Sequence, residues 1–355
     1  MQEAVHSSER RPSSDSAVGE TARPPAMVGV TRGGIVESLH LIRYAIAGAQ
    51  GRIIDSGGDI DAATFLRSSA KPLICAAVVA SGAAERYGLT DVELAVASGS
   101  HSGEPFHVAA VRGLLAKIGL DESALCCGAH PPIHAPSAQA LSAAGGRPLP
   151  IHNNCSGKHA AILALAMHRG AGPHGYLSPE HPAQKEVLDG CARLLEVPRA
   201  SFAVGVDGCG VPVIAVPMRT AAAFFARLAH PQRFGPHWSA AVARVRDAMI
   251  AHPEYVGGTE RFDTALMRAG SGCLLAKGGA EGYHAVGALG QGLGMCLKIA
   301  DGNPRAVPPA VLARLMAAGV LSREAQGELE PYREPPVSNH AGTVVGEIIA
   351  LQTSA

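Results

Sequence analysis

Ser68 and Lys71 stand three residues apart at the head of a long apolar run over residues 72–80. That spacing places a hydroxyl and an amine one helical turn apart on the same face. A serine is a weak nucleophile until a base removes its proton. Lysine serves as that base only where desolvation or nearby cations bring its pKa well below about 10.4. The first turn of a buried helix supplies apolar surroundings and free backbone N–H groups that can hold an oxyanion. Ser98-Gly99-Ser100-His101-Ser102-Gly103-Glu104 adds a second hydroxyl, Ser100, on a turn between two helices. The same turn also reads as a plain N-cap, with Ser102 or Gly103 capping a helix that opens at Glu104-Pro105. Leu274-Leu275-Ala276-Lys277-Gly278-Gly279 ends an apolar strand on a lysine followed by glycines. Glycines there let another backbone come close while Lys277 keeps a cation near the nucleophile.

A different chemistry is written in Asn153-Asn154-Cys155-Ser156-Gly157-Lys158-His159 and Asp207-Gly208-Cys209-Gly210. Cys155 and Lys158 are three apart across a helix start, so both can face one point. Cys209 lies in a glycine-bracketed loop able to reach it. Two thiolates and one nitrogen donor make three ligands and leave a fourth zinc position open. On chemistry alone the nitrogen donor is His159, because a lysine must lose its proton to bind metal. The other six of the eight cysteines are scattered, without a C-x-x-C pair, and read mostly as buried small hydrophobes rather than a disulfide framework.

These residues must be carried by particular elements. Residues 28–55 read as a strand hairpin turning at Gly48-Ala49-Gln50-Gly51. Residues 72–82 are apolar nearly all round and predict a central buried helix. Thr90-Asp91-Val92-Glu93 is a capping box that starts a short helix ending at Gly99. Another helix runs from Glu104-Pro105 to about Ile118, and residues 126–150 read as a long loop. A helix over 156–169 is capped by Ser156 and ended by Gly170. Further helices are predicted over 179–195, 221–229, 239–251 and 261–269. Strand signals return at 272–276, 283–288, 294–299 and 343–351. Strands at both ends around a helical middle predict an α+β fold, its antiparallel sheet built from both chain ends and flanked by helices. No βαβ rhythm supports a doubly wound sheet.

Bulk properties exclude several functions. The 355-residue chain is 47% hydrophobic, enough for a large core, and carries 30 basic and 30 acidic residues for no net charge. With 17% charged and 4% aromatic residues there is no footprint for nucleic acid or an anionic membrane. Residues 1–26 are polar, lack a signal-peptide core and read as a disordered tail, leaving 27–355 as one catalytic domain. No segment has the roughly 18 apolar residues of a membrane span, so a soluble cytoplasmic protein is expected.

Arg67-Ser68-Ser69-Ala70-Lys71-Pro72, the Ser98–Glu104 turn, the Asn153–His159 and Asp207–Gly210 segments and Ala276-Lys277-Gly278-Gly279 together resemble the Rhizobium etli-type L-asparaginases. The resemblance runs from about Val28 to Leu351. It implies a fold similar to serine β-lactamases and penicillin-binding proteins, whose K-T-G element Lys277-Gly278-Gly279 resembles. It also implies a homodimer that hydrolyses L-asparagine. Ser68 resembles the nucleophile with Lys71 as its base, and Ser100 with Lys277 a second pair; Ser100 as nucleophile remains the formal alternative. Cys155, Lys158 and Cys209 correspond to ligands of a zinc ion that is not the primary catalyst, which displaces His159 from the ligand set. Arg67, His159 and Asp207 then become substrate-contact residues. Three other functions stay open: a glutaminase, a serine β-lactamase-like hydrolase, and a catalytically silent zinc-binding protein.

Overall fold

Between Ala26 and Gly57 the chain folds as three antiparallel strands where the sequence indicates two: β1 (Ala26–Arg32), β2 (Ile35–Gly48) and β3 (Ile53–Gly57). The computed structural model describes residues 25–351. Most of the expected 26-residue tail lies outside the described residues, and its last residue, Ala26, already belongs to β1. The extra turn falls at Gly33-Gly34, both with positive φ, the geometry a two-residue hairpin loop requires. The expected turn at residues 48–51 joins β2 to β3.

Three short strands form a second, smaller sheet that the sequence reading did not anticipate. β4 (Ala63–Phe65), β5 (Ala203–Val206) and β6 (Pro212–Pro217) pair antiparallel in the order β4-β6-β5. Its function is positional. Leu66 N–H donates to Ile214 O at 3.1 Å, tying the turn that carries Ser68 to β6.

The large sheet closes with β7 (Leu274–Gly279), β8 (Tyr283–Ala288), β9 (Leu293–Ile299), β10 (Pro336–Ser338) and β11 (Val344–Leu351). Its order is β10-β11-β1-β2-β9-β8-β7, with β3 pairing β2, and every pairing is antiparallel. The expected architecture is therefore the observed one: a sheet from both chain ends around a helical middle. β8 is buried at all six positions because helices and neighbouring strands cover both of its faces.

Helices Lys71–Ala80, Asp91–Ser98, Pro105–Lys117, Ser156–His168, Pro182–Leu195, Met218–Arg227, Pro236–Ala251 and Phe262–Ala269 match the sequence reading to within a few residues. Thr90 and Glu93 form the capping box. Helices Ala135–Ala143 and Val307–Ala317 replace segments read as loop or left unassigned. Lys71–Ala80 is the central helix: Lys71 through Val78 are all buried, and each large apolar side chain there contributes about 1.5–3 kcal/mol of burial. One apolar cluster extends from Ala26 to Ile348. Among the described residues no helix is long and apolar enough to cross a membrane.

Candidate active site

The Ser68 turn is a short 3-10 segment, Arg67–Ala70, leading straight into the central helix. Arg67 adopts φ 49°, a left-handed conformation that non-glycine residues hold only when their surroundings over-determine it. Those surroundings are visible. The Arg67 guanidinium is bonded to Asp207 at 2.9 Å. Ser69 Oγ–H donates to Lys277 O at 2.6 Å. A Cβ on Gly279 would stand 2.9 Å from Leu66 O, so the glycine is what lets β7 lie against the turn. Ser68 itself is half-buried and makes no hydrogen bond through its hydroxyl among the described residues.

Lys71 is buried, and its Nζ lies 2.6 Å from Gly99 O, 3.1 Å from Asn154 O and 2.9 Å from Ser100 Oγ. An uncompensated ammonium at this depth would cost several kcal/mol, which explains why three oxygens converge on it. Burial lowers its pKa, and Lys158 adds to that, while Cys155 and Cys209 oppose it. Lys71 Nζ donates to both carbonyls and meets the Ser100 hydroxyl, and the downward shift of its pKa favours the neutral amine at this position. Neither Ser68–Lys71 nor Ser100–Lys277 is hydrogen-bonded among the described residues; the Ser–Lys contact present is Lys71–Ser100. Lys277 is also buried, donating to Gly278 O at 2.6 Å, and desolvation brings its pKa down to about 7.

The thiols meet next to Lys71. Cys155 occupies the N-cap position of helix Ser156–His168, with its N–H bonded to Asn153 Oδ1 at 2.8 Å. Gly157 packs so tightly on the Asp91–Ser98 helix that a Cβ there would collide with the Val96 carbonyl. That close approach directs Lys158 inward, where its Nζ lies 3.0 Å from Cys209 Sγ. A hydrogen bond from Cys209 takes Cys155 well below the ordinary thiol range; burial opposes this, and Lys71 and Lys158 reinforce it. Cys209 is pushed up by the same bond and by burial. Burial works against the Lys158 charge, but the two sulfurs outweigh it and raise its pKa. Two sulfurs and an amine, screened from water, form a donor set that suits a zinc-type cation taking the place of the Lys158 proton. Among the described residues no group of three His, Cys, Asp or Glu is placed to hold a metal, so this set depends on lysine as its third donor.

A family model described as L-asparaginase II matches residues 28–350. The chain belongs to the L-asparaginase II family. This is a family of amidohydrolases, and its match spans every element just described. No curated protein matches the chain. Solved structures of Mglu are similar at low level: the native form in 4.3 M NaCl has 18% identity and a TM-score of 0.36, over 79% of this chain and 61% of that one. Mglu in its glutamate form has 16% identity and a TM-score of 0.36, with the same coverage. The chain thus spans less than two thirds of the length of those structures.

In this L-asparaginase II family member the remaining expected residues fall at different distances from the Ser–Lys centre. Asp207 pairs with Arg67 and receives the Gly208 N–H at 2.9 Å; burial raises its pKa, and Lys158, Gly208 and Arg67 more than reverse that. His159 turns away from the thiols, with Nδ1 2.7 Å from the Tyr176 hydroxyl, while its Nε2 is buried and without a partner. A cavity of about 20 Å³ runs between Arg67, Lys71, Lys158 and Asp207 and an apolar wall that includes Ile74, Leu188 and Ile214. A larger cleft of about 420 Å³ beside Arg193 and Arg233 is lined by none of the expected site residues.

Several buried polar residues were not anticipated. Ser156 does not cap its helix; its hydroxyl donates to Ile151 O at 2.9 Å and lies 2.8 Å from His101 Nε2. Glu104, rather than Ser102 or Gly103, is the N-cap of helix Pro105–Lys117, and its carboxylate holds Thr259 through both N–H and hydroxyl. Asp263 and His284 stand 2.9 Å apart beside Lys277. The available signal was His284 itself, a polar residue inside the apolar strand β8.

Proposed function

We propose that the protein hydrolyses the side-chain amide of L-asparagine to L-aspartate and ammonia through a lysine-activated serine. The observation that carries this reading is the environment of Lys71. It is buried, two of its bonding positions are taken by backbone carbonyls and the third meets the Ser100 hydroxyl, while Ser68 lies three residues before it in the chain. Desolvation of this kind favours the neutral amine that serine activation needs.

Ser68 Oγ attacks the amide carbonyl carbon while its proton passes to Lys71. The tetrahedral oxyanion is held by backbone N–H groups. The C–N bond breaks as the nitrogen takes a proton and leaves as ammonia, and the β-aspartyl ester remains on Ser68. Water then attacks the ester, returning a proton to Ser68 and releasing aspartate. The strained backbone at Arg67, immediately before Ser68, supports placing the nucleophile there. Asp207 is suited to the substrate ammonium, and the free Nε2 of His159 to a substrate polar group. Cys155, Lys158 and Cys209 would hold one zinc ion, whose positive charge would help bind and orient the substrate. Two copies of the chain would form the working unit, as the resemblance to the Rhizobium etli-type enzymes implies.

A second reading of the same chemistry makes Ser100 the nucleophile, because Ser100 is the hydroxyl that Lys71 touches at 2.9 Å. Ammonia release from asparagine and glutamine, run beside hydrolysis of a chromogenic β-lactam, tests the substrate. A preference for glutamine makes the protein a glutaminase, a change that one methylene allows at roughly 1–3 kcal/mol. β-Lactam turnover moves it to the β-lactamase-like hydrolases. No turnover of any substrate leaves a zinc-binding protein.

A further inference from the structure

Asp263 is, among the described residues, the carboxylate within ion-pair distance of the buried Lys277. It is the second residue of helix Phe262–Ala269. Its Oδ2 accepts the Gly278 N–H at 2.8 Å and lies 3.7 Å from Lys277 Nζ. Its Oδ1 accepts from His284 Nε2 at 2.9 Å; a carboxylate only accepts, so the proton sits on Nε2. His284 is the register partner of Gly278 across β7 and β8. Asp263 therefore clamps the end of β7 from two sides. That same strand end receives Ser69 Oγ–H at Lys277 O and lies against Leu66 O through Gly279. A continuous set of contacts leads from Asp263 to the Ser68 turn.

A helix-start carboxylate ordinarily sits in solvent and contributes through the helix dipole. This one is buried, and its desolvation is offset by the Gly278 N–H, His284 and Lys277 that converge on it. We propose that Asp263, held by His284, is a positioning residue for Lys277: it fixes the amine and the β7 end against the Ser68 turn, and it favours the ammonium form of Lys277 as the acid that completes departure of ammonia. The inference rests on the amidohydrolase reading above. In that step Lys277 gives a proton to the amide nitrogen as the C–N bond breaks, and it is reprotonated when Lys71 gives up the proton it took from Ser68. The other groups acting on Lys277 are Lys71 from the central helix, Arg261 before helix Phe262–Ala269 and Cys155 before helix Ser156–His168. Burial and the two cations lower its pKa, while Asp263 and Cys155 raise it, for a value of about 7.

The test compares wild type, Asp263→Asn and Asp263→Glu in full pH profiles of amide hydrolysis, with ¹⁵N-lysine NMR of the Lys277 amine as a readout independent of turnover. Asp263→Asn should fold and hold KM within about twofold while kcat falls about tenfold or more. The high-pH limb of its kcat profile should move to lower pH, because a carboxylate that favoured the ammonium is gone. Asp263→Glu should restore that limb while kcat stays low. Should Asp263→Asn fail to fold, Asp263→Glu carries the test: a wild-type limb with reduced kcat supports positioning, and unchanged kcat overturns it. An Asp263→Asn enzyme with wild-type kcat and limb, or an unmoved Lys277 titration by NMR, also overturns it. A wild type that releases no ammonia refutes the amidohydrolase reading instead, and the NMR titration then still decides whether Asp263 controls Lys277.

Discussion

Lys71 Nζ and Ser100 Oγ are 2.9 Å apart, and the two residues come from different elements 29 positions apart in the chain. Gly99 O, also bonded to Lys71, belongs to the same turn, so the turn closes over the lysine as a unit. The Lys71→Ala variant should lower asparagine hydrolysis by about a thousandfold or more, because nucleophile and base act together. It should remain folded: the Gly99 and Asn154 carbonyls each lose a donor at about 1–3 kcal/mol, but a buried amine is removed as well. Ammonia release and a thermal melt check both parts. Activity within tenfold of wild type would remove Lys71 from the mechanism.

Stability should rise with pH just above neutrality. Lys277 has a folded pKa of about 7 against 10.5 for the free group. Below about 7 both states hold the proton; between 7 and 10.5 the unfolded chain binds more protons, so raising the pH favours the folded state. Lys71 is shifted in the same direction. The midpoint of urea unfolding should increase from pH 7 to about 8.5, below the range in which the buried thiols Cys75, Cys127, Cys191, Cys209 and Cys296 oppose it, and Lys277→Met should reduce that increase. A wild-type midpoint that falls steadily over the same window contradicts a neutralised interior lysine.

Zinc should be present at about one per chain, with affinity falling as the pH drops because Lys158 and the thiols must lose protons. Cys155→Ala, Lys158→Ala and Cys209→Ala should each lose it. Chelation should raise KM more than it lowers kcat. Metal analysis that finds no zinc in protein purified without chelator refutes the site, and complete loss of kcat on chelation of a folded protein makes the metal the catalyst.

Gly157→Ala should cost about 1–3 kcal/mol, because its new methyl must push helix Ser156–His168 off the Val96 carbonyl. Moving that helix start displaces Cys155 and Lys158, so zinc content should fall with the melting temperature. An unchanged melt shows that the helices can separate freely there.

The fold was legible where apolar runs are long. β7, β8, β9 and β11 and the central helix all announce themselves by burial-prone sequence. The small sheet was not, because β4 has three residues and β5 is mostly exposed. Helix Ala135–Ala143 has no buried residue and so no stripe to read, and Val307–Ala317 opens on prolines that suggest a loop. Within the site, residue types were legible and partnerships were not. Ser68 and Lys71 share a helical face by spacing, yet the hydroxyl that meets Lys71 comes from a turn the tertiary fold brings over it. Asp263 looks like an ordinary helix-start acid until β7 is packed against it.

The most direct test of the central claim is steady-state ammonia release from L-asparagine by the Ser68→Ala variant beside wild type. The account predicts measurable wild-type turnover, and a loss of several orders of magnitude in a variant that melts like wild type. A variant that keeps more than about a tenth of the activity, a loss under about 1.4 kcal/mol, contradicts Ser68 as nucleophile and transfers that role to Ser100.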